Sequence, residues 1–270
     1  MTIVTLANPP GAAATSTAAM NAPTMEKVII LGATSRIALE VERLMACRAC
    51  ELLLVARSPQ RLAEIRADLL VRGAREVLTY SADLASIEQH AGIFAYARRA
   101  FPTFDTVLLA YGSMHNQRDS EASVDILLEE LQVDFVSAAA ILTLFASDLE
   151  RRRTGCLAAI TSVAGDRGRR SNYVYGSAKG GLSLFLQGLR SRLHPADVRV
   201  ITIKPGPVQS PMTDRIPNAA RFADPKQVGH DIVRTVERRS PDVLYTPGVW
   251  RYIMTAVQLI PETIFKRLSF

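Results

Sequence analysis

Cysteine is scarce in this sequence, and the few cysteines present complete neither a disulfide framework nor a zinc site. The 270 residues include three cysteines, at positions 47, 50 and 156. An odd and sparse set argues against a disulfide-knit secreted domain and is typical of a reducing compartment. Cys47-x-x-Cys50 has the spacing of a redox or metal pair, but no second CxxC and no histidine pair completes a zinc site. We therefore interpret both cysteines as incidental and expect a cytoplasmic protein without a metal site.

The first 25 residues lack any ionisable side chain and are rich in Ala, Thr, Pro and Asn. A secretory signal needs a basic start and a continuous apolar stretch, and both are missing here. We predict that residues 1–25 form a flexible tail, with Met20 and Met25 as alternative starts of the chain.

Basic residues are in excess, but the excess is confined to one short stretch. The 32 Lys and Arg residues against 26 Asp and Glu give a formal net charge of +6 and a pI near 9.5. Residues 151–170 hold six arginines and one acid, which is almost the whole excess. No basic stripe is interleaved with aromatic residues, as a nucleic-acid-binding surface would be. We therefore expect no nucleic-acid partner.

From Lys27 onward, short apolar runs alternate with helical patterns. The candidate strands are Val28–Leu31, Leu52–Ala56, Glu76–Tyr80, Thr106–Ala110, Cys156–Ser162 and Val198–Ile203. Continuously apolar runs indicate parallel strands that helices bury on both faces. The pattern predicts an α/β fold with a doubly wound parallel sheet, the Rossmann fold, in a single domain over residues 26–245. Ligands of such folds bind at the carboxyl ends of the strands.

Two motifs lie where those strand ends are expected. Gly32-Ala33-Thr34-Ser35-Arg36-Ile37-Ala38 follows the first strand and opens a helix, whose N-terminal N–H groups favour a pyrophosphate. Tyr175 and Lys179 share one helix face because they are four residues apart, and Ser162 lies thirteen residues before Tyr175. An ordinary Tyr, with a pKa of about 10, is a poor acid near neutrality. A neighbouring ammonium lowers that pKa, so the phenol can protonate a developing alkoxide while Ser162 holds the carbonyl.

Together these motifs resemble those of the short-chain dehydrogenase/reductase family over nearly all of residues 27–240. The resemblance implies that Ser162, Tyr175 and Lys179 are catalytic and that the protein is a homodimer or homotetramer. It also implies contacts of Asp83-Leu84 with adenine and of the loop 205–210 with nicotinamide. The full set of cofactor-binding residues that it implies is Gly32, Thr34, Ser35, Arg36, Ile37, Arg57, Asp83, Leu84, Ala110, Tyr111, Gly112, Tyr175, Lys179, Pro205, Gly206, Val208 and Ser210.

The sequence departs from the family pattern in three motifs. Leu31, Arg36 and Ala38 replace the Thr and two of the Gly residues of the family's glycine turn, and Leu109-Ala110-Tyr111-Gly112 replaces NNAG. Asp134 stands where the family's fourth catalytic residue is Asn. The Asp134 carboxylate can accept hydrogen bonds from a water or from the Lys179 network, but it cannot donate them as an amide does. We therefore expect Asp134 to anchor a water in an altered proton relay; a non-catalytic NADP(H)-binding sensor is the alternative.

The end of the second strand carries a signal for the choice of cofactor. It reads Ala56-Arg57-Ser58, without the acid that binds the ribose 2′-hydroxyl of NAD. An arginine at this place favours a 2′-phosphate, and Arg36 is a second cation for it. The sequence predicts NADP(H) in preference to NAD(H). The alternative is that Arg57 is only a solvated residue in the first turn of a helix.

A basic loop between Ser162 and Tyr175 must border the active site, because both flanking residues line it. It contains Arg167, Arg169 and Arg170. Arginines bind phosphate through paired hydrogen bonds, so we predict that these three bind the substrate. A solvated basic loop is the alternative.

The C-terminal residues 246–270 form an apolar extension that we predict to be helical. The uncharged run from Tyr252 to Pro261 is too short to span a bilayer. Its aromatic and aliphatic residues, with Arg251, Lys266 and Arg267 among them, suit a helix that lies in a membrane interface. Packing on the protein's own core or on a sister subunit is the alternative.

The basic loop and the extension resemble those of the reductases that act on decaprenylphosphoryl-2-keto-erythro-pentose, a narrower group within the family. We expect an NADPH-dependent carbonyl reductase for a ketone or alcohol substrate. The narrower hypothesis is a 2-keto sugar on a polyprenyl phosphate, with peripheral contact at the cytoplasmic membrane through residues 249–270. A soluble reductase of the ketoacyl or steroid type, for which the basic loop is irrelevant, is the alternative.

Overall fold

The structure is a computed structural model that describes residues 26–214, 222–238 and 240–268. The predicted flexible tail at 1–25 lies outside the described residues, and so do the last two residues of the predicted C-terminal extension. Within the described residues, one layer of strands is covered on both faces by helices, with a separate apolar core on each face.

In the described part of the chain, the sheet contains seven strands: β1 (Lys27–Leu31), β2 (Glu51–Ala56), β3 (Glu76–Ser81), β4 (Thr106–Leu109), β5 (Cys156–Ile160), β6 (Arg199–Pro205) and β7 (Val243–Thr246). All neighbouring strands are parallel, in the order β3-β2-β1-β4-β5-β6-β7. The strand order reverses between β1 and β4, which creates a crevice at their carboxyl ends. The predicted doubly wound parallel sheet is confirmed, and β7 is an additional strand that the sequence did not predict.

The helices that cover the sheet are α1 (Arg36–Ala46), α2 (Pro59–Val71), α3 (His90–Ala100), α4 (Gln117–Ala122), α5 (Val124–Leu131), α6 (Ala138–Arg152), α7 (Tyr173–Leu193), α8 (Pro225–Arg238), α9 (Val249–Leu259) and α10 (Glu262–Phe265). Side chains of β1 alternate between the two cores, because successive residues of a strand face opposite sides. Ile29 packs on the face that carries Phe145 of α6, whereas Ile30 packs on the face that carries Val41 of α1. Both faces are therefore apolar, as a continuous apolar strand requires.

The fifth strand ends two residues before the predicted end at Ser162. Ile160 is its last residue, although Thr161 still donates from its backbone N–H to the Ile203 carbonyl at 2.7 Å. Ser162 then begins a short 3₁₀ turn over Val163–Asp166, and its Oγ accepts a hydrogen bond from the Ala164 N–H at 3.1 Å. The chain leaves the sheet at Ser162, so this hydroxyl lies at the edge where a ligand can reach it.

Cys47 is exposed just after α1, whereas Cys50 is buried just before β2. The described residues contain no group of three or more His, Cys, Asp or Glu side chains arranged to hold a metal ion. In the same part of the chain, no helix combines the length and the apolar character that a membrane span needs.

Candidate active site

A cavity of about 780 Å³ opens at the carboxyl edge of the sheet. Every residue that the sequence implicates in cofactor binding lines this cavity, in sequence order from Gly32 to Ser210, and so do Ser162 and Arg169. Asp134, Arg167 and Arg170 are not among the lining residues. The structure thus brings together the predicted cofactor residues and three of the four predicted catalytic side chains, but only one of the three loop arginines.

The turn after β1 is built around a glycine with left-handed backbone geometry. Gly32 has a φ of +95°, which disfavours any residue with a Cβ. A Cβ at this position would lie 2.6 Å from the backbone nitrogen of Tyr111. Gly32 therefore allows the end of β1 to approach the segment that follows β4. This close approach shapes the floor of the cavity at the switch point.

Helix α1 directs its N-terminus into the same cavity. Ser35 caps the helix, and its side chain accepts a hydrogen bond from the Ala38 N–H at 3.1 Å. Other N–H groups of the first turn have no partner within the helix, and they lie at the positive end of the helix dipole. Thr34, Arg36 and Ile37 line the cavity beside them. This end of the cavity is suited to an anion.

Two exposed arginines add positive charge at this end. Arg36 and Arg57 both line the cavity, and neither forms an ion pair with a described residue. Arg61 also lines the cavity, but its guanidinium pairs with Glu64 at 2.6 Å. Arg36 and Arg57 are therefore the cations that remain available to a ligand here.

Close packing of glycines brings the Ser162 turn against α7. A Cβ on Gly176 would lie 2.8 Å from the Ala164 carbonyl oxygen, and a Cβ on Gly180 would lie 2.9 Å from the Gly165 carbonyl oxygen. Gly176 directly follows Tyr175 and Gly180 directly follows Lys179, so the turn can rest on the helix backbone beside both residues. Ser162 and Tyr175 thereby line the same part of the cavity wall.

Tyr175 and Lys179 meet on one face of α7, as their spacing predicts. The Lys179 Nζ lies 5.8 Å from the centroid of the Tyr175 ring. Burial raises the pKa of Tyr175, and the charge of Lys179 and the hydrogen bond with Ser162 oppose that rise. Lys179 thus acts in the expected direction, but burial outweighs it. The Asp134 carboxylate adds to the rise in the pKa of Tyr175.

Asp134 lies behind Lys179 and pairs with it directly. The Lys179 Nζ and the Asp134 Oδ1 are 2.8 Å apart, and the two side chains are only 4% and 0% exposed. The Ser113 backbone N–H and hydroxyl also donate to this carboxylate, at 3.2 to 3.3 Å. Burial alone would lower the pKa of Lys179, but its interactions with Asp134 and Tyr175 raise it. The sequence predicts that Asp134 accepts hydrogen bonds from the Lys179 network or from a water. The structure shows the direct ion pair with Lys179, and the water stays a prediction.

Local backbone geometry explains this direct contact. Asp134 lies in a π-helical segment, Gln132–Ser137, between α5 and α6. A π turn carries one more residue than an α turn and often occurs at functional sites. Gly112 packs directly against the ion pair. A Cβ at this position would lie 2.4 Å from the Asp134 Oδ1 and 2.9 Å from the Lys179 Nζ. Any other residue at position 112 would displace the ion pair.

The three arginines of the basic loop have different surroundings. Arg169 lines the cavity, its Nε is buried without a hydrogen-bond partner, and burial lowers its pKa. Arg170 is exposed and lies outside the cavity. Arg167 turns to the C-terminal segment, where it donates to the carbonyl oxygens of Val257, Gln258 and Ile260. The predicted three-arginine clamp is therefore reduced to Arg169, because Arg167 is engaged in structural contacts.

Sequence reasoning missed several residues of the cavity. Met114, Asn172, Met212 and Trp250 also line it, and the Asn172 Oδ1 is buried without a hydrogen-bond partner. Asn172 lies next to the predicted catalytic set, and that adjacency was the available signal. Trp250 lies 75 residues after Tyr175 in the predicted extension, and nothing in its local sequence points to the cavity.

The C-terminal extension forms α9 and α10 in the described residues. Met254 and Phe265 are buried against the rest of the protein, whereas Tyr252 and Leu259 are 76% and 78% exposed. The extension therefore packs on the protein's own surface through one face, and its opposite face is apolar and open.

Comparisons with known proteins agree with this arrangement. Residues 26–221 match the family model described as short chain dehydrogenase. An uncharacterized oxidoreductase of Mycobacterium tuberculosis is 32% identical over 241 residues, which cover 89% of this chain and 96% of the relative. An uncharacterized oxidoreductase of Streptomyces coelicolor is also 32% identical over 241 residues, which cover 89% of this chain and 95% of the relative.

Solved structures share the fold. A short chain dehydrogenase from Burkholderia cenocepacia, in complex with NADP, superimposes with a TM-score of 0.76 at 17% sequence identity, over 90% of this chain and 97% of that one. At this level of identity the likeness concerns the fold alone. The matched family model spans the glycine turn, Ser162, Tyr175 and Lys179, and the two relatives align over nearly their whole length. This chain therefore belongs to the short-chain dehydrogenase/reductase family of oxidoreductases.

Proposed function

We propose that this protein is an NADPH-dependent carbonyl reductase, which reduces a ketone to an alcohol. The observation that carries the proposal is the meeting of Ser162, Tyr175 and Lys179 in one cavity with the phosphate-binding turn at Gly32. The first three residues can hold and protonate a carbonyl oxygen. The turn can hold a dinucleotide beside them.

The residues at the α1 end of the cavity fit a nicotinamide dinucleotide phosphate. A side chain at Gly32 would collide with Tyr111, so this turn needs a glycine. The N-terminus of α1, which follows the turn, would hold the pyrophosphate through its free N–H groups. Arg36 and Arg57 would hold the 2′-phosphate, because a guanidinium binds phosphate through two parallel hydrogen bonds. No ion pair with a described acid neutralises either arginine. When bound, NADPH would supply the hydride that reduces the carbonyl carbon.

Tyr175 would supply the proton. Its phenol would donate to the carbonyl oxygen as negative charge develops there, while the Ser162 hydroxyl holds that oxygen through a second hydrogen bond. The phenolate that remains would lie beside the Lys179 ammonium, which stabilises it. Asp134 would keep Lys179 protonated and fixed in position through the 2.8 Å ion pair.

We also propose a substrate that carries an anionic group, and the narrower hypothesis is a 2-keto sugar on a polyprenyl phosphate. Arg169 supports an anion, because its guanidinium lines the cavity and its Nε has no described hydrogen-bond partner. A phosphate oxygen would satisfy that donor. For a lipid-linked substrate, the exposed side chains of Tyr252 and Leu259 on α9 would contact the surface of the cytoplasmic membrane.

A second candidate is a soluble reductase for an apolar ketone. Met114, Met212 and Trp250 add apolar walls to the cavity, and Arg167 is engaged with α9 rather than with the cavity. In this case Arg169 would play no part in binding the substrate. For either candidate we propose a cytoplasmic homodimer or homotetramer, and the exposed side chains of Val124, Leu128 and Leu184 offer an apolar surface for assembly.

The test is NADPH oxidation, followed by absorbance, with ketones that do and do not carry a phosphate. We expect turnover, and we expect Arg169→Ala to lower kcat/KM for phosphorylated ketones by about tenfold to a hundredfold without affecting neutral ones. The matched control is Arg170→Ala, because Arg170 is exposed and outside the cavity. No loss for either class of ketone would favour the apolar substrate, and an equal loss for both would contradict a phosphate contact of Arg169. NADPH binding without turnover of any ketone would contradict catalysis and favour a sensor.

A further inference from the structure

Arg167 fastens the C-terminal helix to the active-site loop. Its Nη1 donates to the carbonyl oxygens of Val257, Gln258 and Ile260 at 2.7, 3.1 and 2.6 Å. These carbonyls belong to the last turn of α9 and the residue just after it, where a helix leaves carbonyls without their usual N–H donors. The Val257 carbonyl accepts in addition from the Ile260 N–H at 3.3 Å. The Nη2 donates to Glu262 at 3.0 Å, and the guanidinium lies over the Phe265 ring, 3.8 Å from its centroid. One side chain therefore binds both α9 and α10.

The residue before Arg167 ties the same loop to the sheet. The Asp166 carboxylate pairs with Lys204 of β6 and accepts a hydrogen bond from the Tyr245 hydroxyl of β7 at 2.8 Å. The Asp166 side chain is only 2% exposed, and its backbone carbonyl accepts from Gln258 Nε2 at 3.3 Å. Asp166 and Arg167 thus join the loop after Ser162, the end of the sheet and the C-terminal helix.

The opposite end of α9 reaches the cavity. Trp250, in the first turn, packs so closely on Gly206 that a Cβ at position 206 would lie 2.0 Å from the Trp250 Nε1. The indole occupies the space that any side chain at position 206 would fill. Trp250 and Gly206 both line the cavity that also holds Ser162 and Tyr175. An 11-residue helix is about 16 Å long, so a clamp at its C-terminal end can fix the position of Trp250 at its N-terminal end.

We propose that Trp250 is a specificity-determining wall for the substrate and that Arg167 is the residue that positions it. The ligand that this wall suits is a ketone with a flat or aliphatic apolar group next to the carbonyl, because an indole presents a large apolar face. This ligand corresponds to the second candidate above, the apolar ketone, and not to the 2-keto sugar. The identity of the ligand as a ketone rests on the proposed function, whereas the anchoring of Trp250 by Arg167 does not. Arg167 is then a positioning residue that touches neither substrate nor cofactor.

The anchoring is tested by fluorescence, because Trp250 is the single tryptophan of the 270-residue chain. We expect Arg167→Ala to shift the emission maximum to longer wavelength and to increase quenching by acrylamide, since the helix end loosens. Arg167→Lys keeps the charge and can still bind carbonyls, but it loses the second nitrogen that contacts Glu262 and the planar group over Phe265, so it should show the same change to a smaller extent. Arg170→Ala, in the same loop, should leave emission and quenching unchanged. Thermal unfolding followed by circular dichroism verifies that each variant is folded.

Emission and quenching identical to the wild type in folded Arg167→Ala and Arg167→Lys would overturn the anchoring role. If Arg167→Ala does not fold, the folded Arg167→Lys variant decides the question alone.

The specificity role is tested by kinetics with two ketones, one bearing an aromatic ring next to the carbonyl and one with only methyl substituents. We expect Trp250→Ala to raise KM for the aromatic ketone, so that the ratio of kcat/KM values between the two ketones falls by about tenfold. Arg167→Ala should lower the same ratio to a smaller extent, with little change in kcat for the methyl ketone. An unchanged ratio in Trp250→Ala would overturn the specificity role. A wild-type protein that reduces no ketone would overturn both the proposed function and this role, while the fluorescence result still decides the anchoring role.

Discussion

The Lys179 ammonium lies 2.8 Å from the Asp134 carboxylate, and the rest of the molecule buries both side chains almost completely. A buried ion pair of this kind stabilises the fold little by itself, but removal of one partner leaves an uncompensated buried charge. The Ser113 N–H and hydroxyl donate to the same carboxylate, which fixes its position. The π-helical segment positions Asp134, and Asp134 in turn positions the charged Lys179 ammonium beside Tyr175.

Asp134→Asn should move the pH dependence of ketone reduction. The carboxylate raises the pKa of Tyr175, because a negative charge disfavours the phenolate. Its removal lowers that pKa. Reduction requires the protonated phenol, so the loss of activity on the alkaline side should begin at lower pH in Asp134→Asn. The measurement is kcat for ketone reduction as a function of pH.

Ser113→Ala is the control for this prediction, because it removes one hydrogen bond to Asp134 without changing the charge of the site. Its alkaline limb should coincide with that of the wild type. The role assigned to Asp134 would be wrong if the folded Asp134→Asn enzyme kept the wild-type limb. Asp134→Ala should in addition lower the free energy of unfolding by about 3 kcal/mol or more, since it leaves Lys179 buried without its partner.

Tyr175→Phe should abolish turnover and leave NADPH binding intact. Loss of a positioned proton donor typically costs about two to four orders of magnitude in rate. The ring stays in place, so the packing of α7 against the Ser162 turn is kept. Tyr173→Phe is a matched control on the same helix, because Tyr173 is 42% exposed and outside the cavity. Turnover by Tyr175→Phe at the rate of the Tyr173→Phe control would exclude Tyr175 as the donor.

The fold could be predicted from the sequence because most strands of a parallel sheet are continuous apolar runs. Val28–Leu31 and Leu52–Ala56 are buried on both faces and stand out in the sequence. β7 was missed, since it has only four residues, Val243–Thr246, and a proline lies just beyond each end. A strand of four residues close to prolines has too short an apolar run to be recognised as a strand from the sequence.

From the residues alone, the site could be predicted only where its contacts are local in sequence: Tyr175 and Lys179 lie on one helix face, and the Gly32 turn directly follows its strand. The cavity residues that are distant in sequence, such as Asp83 and Ser210, were predicted through the family resemblance. Arg167 contacts residues about 90 positions away, and neither the local sequence nor the resemblance indicates those contacts. The π-helical geometry at Asp134 is likewise not evident from composition or spacing.

Arg36 and Arg57 should determine the preference for NADPH over NADH. Both lie beside the α1 end of the cavity without an ion pair to a described residue, so replacement by Ala removes charge that a 2′-phosphate would use. We expect each change to raise KM for NADPH by about tenfold, and the double change by more, with little effect on NADH. The measurement is initial rate against concentration of each cofactor.

Arg61→Ala is the control for the cofactor prediction. Arg61 lines the same cavity, but its charge is paired with Glu64 at 2.6 Å, so its loss should change KM for NADPH far less. The KM for NADPH should also rise with salt concentration in the wild type, and this dependence should weaken in the double variant. Equal losses for NADPH and NADH in Arg57→Ala would contradict a 2′-phosphate contact.

Glu42 should make the protein less stable as the pH rises. Its side chain on α1 is fully buried, both carboxylate oxygens lack a described hydrogen-bond partner, and burial raises its pKa well above 4.5. Above that ordinary value the unfolded chain releases the proton while the folded protein retains it, so the free energy of unfolding falls with pH. Glu42→Gln cannot ionise and should be more stable than the wild type at pH 8 by about 1–3 kcal/mol. Urea unfolding at pH 5 and pH 8 measures this, with Glu40→Gln as the control, because Glu40 is paired with Arg43. If the free energy of unfolding of the wild type changed between pH 5 and pH 8 by the same amount as that of Glu42→Gln, Glu42 would already be ionised in the folded protein.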